Sequence, residues 1–224
     1  MKNSINIAAI ESSGSNCSAA LMINGELFSE YNIFEKNLHD KFLAEFTKRI
    51  ISDAGLSPDD ISAIAVSSGP GSFTGLRISG AVAKGFCFDD KTKLIQVPTL
   101  EGLAYYIAQN MQIPNGTKIT ATVKAHKDLL YYQIFDNAAN KLSEPEYTDL
   151  ETFRSEVSTE QNIICGSAAN ELQEYHSIKE FNCLAARFTA LKALQLYKEN
   201  SFVAADQYVP YYIQEFQPKT NKKE

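Results

Sequence analysis

Three short apolar runs separated by turn residues open this chain, and everything after them alternates between helical and strand-like segments. The runs are 5–11 (INIAAIE), 17–23 (CSAALMI) and a third that alternates through Leu27, Ser29, Tyr31 and Ile33. Ser13-Gly14-Ser15-Asn16 and Asn24-Gly25 stand between them. Asn-Gly flanked by apolar runs is the strongest short hairpin signal, so the spacing predicts a three-stranded antiparallel meander. Leu38, Phe42, Phe46 and Ile50 recur every four residues and predict a helix over about 39–54, stopped by Gly55. Ser57-Pro58-Asp59-Asp60 reads as a cap, a proline at the first position and acids in a first turn. Ala63–Ser67 is a buried strand, 74–88 a helix, 93–97 a strand, and Thr99 is placed to cap a helix reaching Asn110. A meander followed by alternating helices and parallel strands is the pattern of a ribonuclease-H-like α/β unit.

The second half begins the same way, with strands expected at 118–125 and 130–136 and a weaker one near 141–147. Asp149 is placed to cap a helix over 150–157. A strand at 162–165, a turn at 166–168, a short helix at 168–175 and a long helix at 183–199 follow. That long helix carries Leu184, Phe188, Leu191 and Leu194. The pattern is a shortened copy of the first half, so the expected fold is α/β with two ribonuclease-H-like lobes. The division is residues 1–100, 101–218 and a charged tail, 219–224, expected to be disordered.

Charge and cysteine usage narrow the function. A net charge of −6 argues against a broad electrostatic footprint on nucleic acid. Cys17, Cys87, Cys165 and Cys183 form no CxxC pair and sit among apolar or small residues, as reduced, buried thiols do. Met1-Lys2-Asn3-Ser4-Ile5 has no signal core, and no apolar run is long enough to span a bilayer. The expectation is a cytoplasmic protein without a membrane anchor.

The distinctive string is Ser68-Gly69-Pro70-Gly71-Ser72-Phe73-Thr74-Gly75-Leu76-Arg77-Ile78, set between a buried strand and a helix. Glycines there let backbone N–H groups approach a phosphate, and a helix N-terminus favours an anion. Gly69, Gly71, Ser72, Thr74, Gly75 and Arg77 are therefore the candidate residues of a vestigial phosphate loop. The string is not a Walker A loop, because no Gly-Lys-Ser/Thr follows. Nor is it a Rossmann fingerprint, because the next strand ends in Val97-Pro98 without a ribose-binding acid. The competing reading is a tight strand-to-helix turn packed against a neighbour. Glu11, beside Ser12–Ser15, joins these candidates as a carboxylate that could meet a metal ion. A solvated turn acid is the favoured alternative, since one carboxylate makes a poor Mg²⁺ site. Arg77 suits a phosphate, a salt bridge or a partner contact. His39, His126 and His176 stand apart, and lone histidines are usually structural or solvated. No nucleophile–base set and no metal-ligand spacing emerge, so no catalytic residue, metal or cofactor is expected.

As a whole the string closely resembles the GPGSFTGLRIG signature of the TsaB (YeaZ) family, with Ser79 intervening before Gly80. The resemblance extends to Ile7–Ser13, to His39 at the start of the first helix and to Ala83-Lys84-Gly85. It continues through Val97–Ala104, Gly166-Ser167-Ala168 and Pro210–Gln214, and so covers nearly all of 5–214. Two departures, Lys124-Ala125-His126-Lys127 and Gln214, bear on the second half's surface contacts rather than on the fold.

The resemblance implies two lobes of the acetate-kinase/Hsp70/actin superfamily, the second shortened. It implies a non-catalytic accessory subunit that binds and positions TsaD in forming threonylcarbamoyladenosine on tRNA next to the anticodon. The implied partners are a TsaD-type protein and a TsaE-type ATPase, with tRNA met only through the complex and a homodimer in isolation. The paired histidines of a TsaD-like metal site have no counterpart here. The implied interface is the first lobe's two helices, carrying Phe42, Leu43, Phe46, Ile50 and Ile51 on one and Leu76, Val82, Phe86 and Phe88 on the other. A competing reading from the same superfamily is an ATP-dependent phosphotransferase using the 68–77 loop on phosphate.

Overall fold

A computed structural model describes residues 4–34, 39–89 and 91–213. Met1–Asn3, Leu38, Gln214 and the tail from Lys219 lie outside the described residues, as does the side chain of His39. The first lobe runs β1 (Asn6–Glu11), β2 (Cys17–Ile23), β3 (Glu26–Ile33), α1 (His39–Asp53), β4 (Ala63–Gly69), α2 (Phe73–Phe86) and β5 (Lys93–Pro98). Then come α3 (Thr99–Asn110), β6 (Lys118–Lys124), β7 (Leu129–Phe135), β8 (Glu146–Asp149), α4 (Leu150–Glu156), β9 (Asn162–Gly166), β10 (His176–Ser177) and α5 (Ala186–Lys198). No helix among the described residues is long and apolar enough to cross a membrane.

The two sheets share one topology. The first is ordered β3-β2-β1-β4-β5 and the second β8-β7-β6-β9-β10. In each, the meander pairs antiparallel and the last two strands add in parallel. The hairpin after β2 turns on Asn24 and Gly25, with φ of 53° and 94°, the geometry that Asn-Gly supplies at least cost. The expected α/β fold of two ribonuclease-H-like lobes is present, with the second shortened at α4, at the 3-10 turn that stands in the place of α2, and at β10.

Several local expectations shift. The third strand of the second half lies at 146–149 rather than 141–147. The expected helix at 168–175 is one 3-10 turn at Ala169–Glu171, followed by β10. The long helix starts at Ala186, because Ala185 is extended (φ −147°, ψ 145°). Thr99 does not cap its helix: Pro98 holds that position, and the Thr99 hydroxyl accepts from the Gly69 N–H at 3.2 Å. Asp149 does cap α4, accepting from the Glu151 and Thr152 N–H groups.

The two central helices cross over between the lobes. α3 follows β5 in sequence but packs on the second sheet, placing Leu100, Leu103, Ala104 and Ile107 against Ile119, Ala121 and Val123. α5 returns to the first sheet, where Ala186, Ala190 and Ala193 meet Ile7, Ala9, Ala20, Ala63 and Ala65. Small residues on both sides let this helix lie close to the strands. The opposite face of the first sheet is covered by α1 and α2, around Leu43, Ile50, Ile51, Ile64 and Val66. A division at 100/101 thus separates the two sheets but not their covering helices.

Candidate functional site

The glycine loop joins β4 to α2, and its glycines face protein. A Cβ on Gly71 would lie 2.5 Å from the Ser13 carbonyl oxygen, and one on Gly75 would overlap the Ser12 carbonyl. The Ser72 N–H donates to that Ser13 carbonyl at 2.7 Å, and the Ser12 hydroxyl donates to the Gly75 carbonyl at 2.7 Å. Ser72 caps α2 by accepting from the Gly75 N–H at 3.2 Å. The loop is therefore sewn to the turn after β1, and its close approaches accommodate Ser12 and Ser13 rather than a ligand's oxygens. Thr74 is exposed beside it. Gly69 (φ +111°) is closed from another side by the Tyr211 carbonyl.

Glu11 is not the solvated turn acid that the sequence favours. It is 2% exposed. One carboxyl oxygen accepts from the Ser13 N–H and hydroxyl, both at 2.6 Å, and the other from the Thr189 hydroxyl of α5 at 3.3 Å. Burial raises its pKa above the ordinary carboxylate range, against the opposing pull of the Ser13 and Thr189 hydrogen bonds. With both oxygens engaged and the group enclosed, Glu11 is a seam residue between β1 and α5.

Among the described residues Arg77 is paired with no carboxylate. Its guanidinium stacks 3.9 Å from the Phe73 ring centre, and its Nε donates to the Tyr212 hydroxyl at 3.4 Å. Between the lobes lies an open cleft of about 690 Å³, bounded by Ser13–Ser15 and Gly71–Phe73 on one side and by Lys124, His126, Tyr131 and Tyr147 on the other. Lys124 is engaged by Glu171. Among the described residues, no group of three or more His, Cys, Asp or Glu could hold a metal ion. Cys17, Cys87 and Cys165 are buried, whereas Cys183 is half-buried.

The helical face expected to meet a partner is narrower than the sequence suggests. Leu43, Ile50 and Leu76 are fully buried and Ile51 is 2% exposed, so all four belong to the core rather than to a surface. Leu43, Ile50 and Ile51 belong to the row 43, 47, 50, 51 that α1 buries, with Thr47 donating back to the Leu43 carbonyl, and Leu76 is buried from α2. Phe42 and Phe46 are half-buried, stacked at 5.8 Å. Val82 and Phe86 are half-buried on the outer side of α2, and Phe88 just beyond it is 90% exposed. These three line a groove of about 470 Å³ with Ala44, Ala81 and Gly85, rimmed by Lys48, Asp59 and Asp89. The sequence reading did not connect Thr189 to Glu11, Tyr208 to Gly80 or Tyr212 to Arg77. All three come from beyond residue 185, and no spacing near them says which part of the first lobe they meet.

Comparison with known proteins bears on the same features. The family model described as TsaD, tRNA N6-adenosine threonylcarbamoyltransferase, matches residues 34–207. The chain is 25% identical over 175 residues to the tRNA threonylcarbamoyladenosine biosynthesis protein TsaB of Haemophilus influenzae, covering 78% of this chain and 71% of that one. It is 29% identical over 144 residues to TsaB of Escherichia coli, covering 64% of this chain and 60% of that one. In three dimensions it superposes on YeaZ from Pseudomonas aeruginosa with a TM-score of 0.78 at 20% identity, over 93% of this chain and all of the other.

Proposed function

We propose, on the premise that this chain belongs to the TsaD family and stands with its TsaB (YeaZ) relatives, that it is a non-catalytic subunit in tRNA threonylcarbamoyladenosine biosynthesis. Its task is to bind and position a TsaD-type protein. The observation that carries this reading is the apolar groove on the outer side of α1 and α2. Phe88 stands 90% exposed there beside Val82 and Phe86, and an apolar patch of this kind marks a contact surface. Leu43, Ile50 and Leu76 support the face from beneath.

Residue chemistry supports an accessory role over the phosphotransferase alternative. Glu11 has both oxygens engaged by Ser13 and Thr189, and Ser12 and Ser13 fill the space against Gly71 and Gly75 that a phosphate would need. The net charge of −6 leaves tRNA to be held by other members of a complex, among them the TsaD-type protein, with a TsaE-type ATPase as the further partner. Alone, the same face pairs with a second copy, as self-complementary two-fold patches commonly do.

The test is co-purification with the TsaD-type protein of the same cell, plus light scattering of the chain alone. Phe88→Asp should abolish both the heterodimer and the homodimer. A charge left unpaired in an apolar interface costs several kcal/mol, enough to remove micromolar association. Both assemblies surviving in a folded Phe88→Asp, Val82→Asp double variant would move the interface elsewhere.

A further inference from the structure

The other side of α2 holds a second surface, and the chain's own end already lies in it. After α5, the Val203 N–H donates to the Leu94 carbonyl at 3.0 Å, bringing the chain along the β5 edge. Tyr208 then enters a slot over Gly80, where a Cβ would stand 2.6 Å from its ring, and is 2% exposed. The Val209 carbonyl accepts from the Gln96 side chain at 3.1 Å, and the Tyr211 N–H donates to the Ser68 carbonyl at 2.7 Å. The Tyr211 carbonyl occupies the space a Gly69 side chain would need. Tyr212 packs 5.0 Å from Phe73 and accepts from Arg77. Residues 73, 77, 80 and 84 form one stripe of α2, and Lys84 closes it 5.9 Å from the Tyr208 ring. Gly69 and Gly80 are thus the two places where the glycine-bearing string yields to this segment.

We propose that this stripe is a docking groove for an extended Tyr-x-x-x-Tyr segment, filled in cis by residues 208–212, and that the segment leaves as a unit to open the interlobe cleft. The contacts are those of extended-peptide recognition: main-chain hydrogen bonds supply affinity and a side-chain slot supplies selectivity. Release is local because one anchor carries the burial: Val209 is 64% and Tyr211 47% exposed, and segments with few buried contacts open below the global unfolding free energy. Tyr211, Tyr212 and Ile213 line the cleft beside Ser13–Ser15 and His126, so their departure widens it and frees Arg77. Among the described residues the Tyr208 hydroxyl is buried without a hydrogen-bond partner, so it is the Tyr208 ring that fills the slot. This inference is independent of which partner the opposite side of α2 meets.

Amide hydrogen exchange on the full chain tests release. The Tyr211 amide should exchange at least ~100-fold faster than those of Ile64 and Val66, through an opening that leaves β4 protected. Tyr208→Phe should slow it and Tyr208→Ala should speed it. A synthetic Tyr-Val-Pro-Tyr-Tyr-Ile peptide should bind the full-length Tyr208→Ala chain saturably and wild type at least ~10-fold more weakly, because the cis segment competes. If Tyr208→Ala does not fold, Tyr211→Pro, which removes the bond to Ser68 together with the exposed Tyr211 ring, takes its place in the peptide-binding measurement. Exchange of Tyr211 in step with Ile64 and Val66, or no peptide binding to a folded variant, overturns the proposal.

Discussion

Alanine at Gly75 and at Gly85 should act in opposite directions, although both lie in α2. Alanine ordinarily stabilises a helical position by roughly 0.5–1 kcal/mol over glycine. At Gly85 nothing among the described residues stands within 4 Å of an added Cβ, so Gly85→Ala should keep that gain and raise Tm by about 1–4 °C for a chain of this size. At Gly75 the Cβ would overlap the Ser12 carbonyl, so the end of β1 must move away from the helix. Overpacking of this kind costs about 1–3 kcal/mol. Displacing Ser12 also weakens its 2.7 Å bond to the Gly75 carbonyl, worth about 1 kcal/mol. Subtracting the propensity gain leaves a net loss of about 1–3.5 kcal/mol and a Tm lower by roughly 2–14 °C. Paired thermal and urea unfolding of the two variants is the assay. A Gly75→Ala protein as stable as Gly85→Ala would refute the close packing of the loop on the β1 turn.

Three further outcomes follow from the same contacts. Glu11→Gln should match wild type below about pH 4 and exceed it in stability near pH 7. A carboxyl whose folded pKa is raised loses stability as pH rises through the window above its unfolded value of 4.5, and glutamine has no such loss; melting curves across that range that stay parallel would contradict it. Leu43→Ala should cost about 2–5 kcal/mol in urea unfolding, whereas Phe88→Ala should change stability by less than about 0.5 kcal/mol; similar losses would mean that the two residues do not divide between core and surface. Titration calorimetry of the isolated chain with ATP and Mg²⁺ should show no binding heat, and a saturable heat lost in Glu11→Ala would restore the phosphotransferase reading.

Most of the fold is legible in the sequence because it is built locally. Turn residues and period-two or period-four apolar spacing place β1 to β3, α1, β4, α2, β5 and α4 within a few residues. What escapes is set by distant chain. Glu11 reads as a turn acid because the Thr189 hydroxyl and α5 that enclose it are 178 residues away. The glycines read equally as phosphate-loop or packing residues, and only the position of Ser12 and Ser13 separates the two. On α1 the aromatic row Phe42, Phe46, Ile50 looks like the buried stripe. The helix instead buries 43, 47, 50 and 51, and polar Thr47 disguises that row by satisfying its hydroxyl on the Leu43 carbonyl. β10, two residues long, is too short to leave a periodic trace and exists through its parallel pairing with β9.

The return of α5 to the first sheet bears on how the chain is made. β5 ends at Pro98 and α5 ends at Lys198, so about 100 residues separate the completed first sheet from the helix that covers it. At about 5–20 residues per second, the strand face of Ile7, Ala9, Ile95 and Val97 waits roughly 5–20 s on the ribosome without its cover. The first lobe is therefore not a unit that matures as it emerges. A nascent chain halted before residue 186 should present that apolar face to chaperones, and shortening the chain at the lobe boundary should give insoluble protein rather than half a molecule.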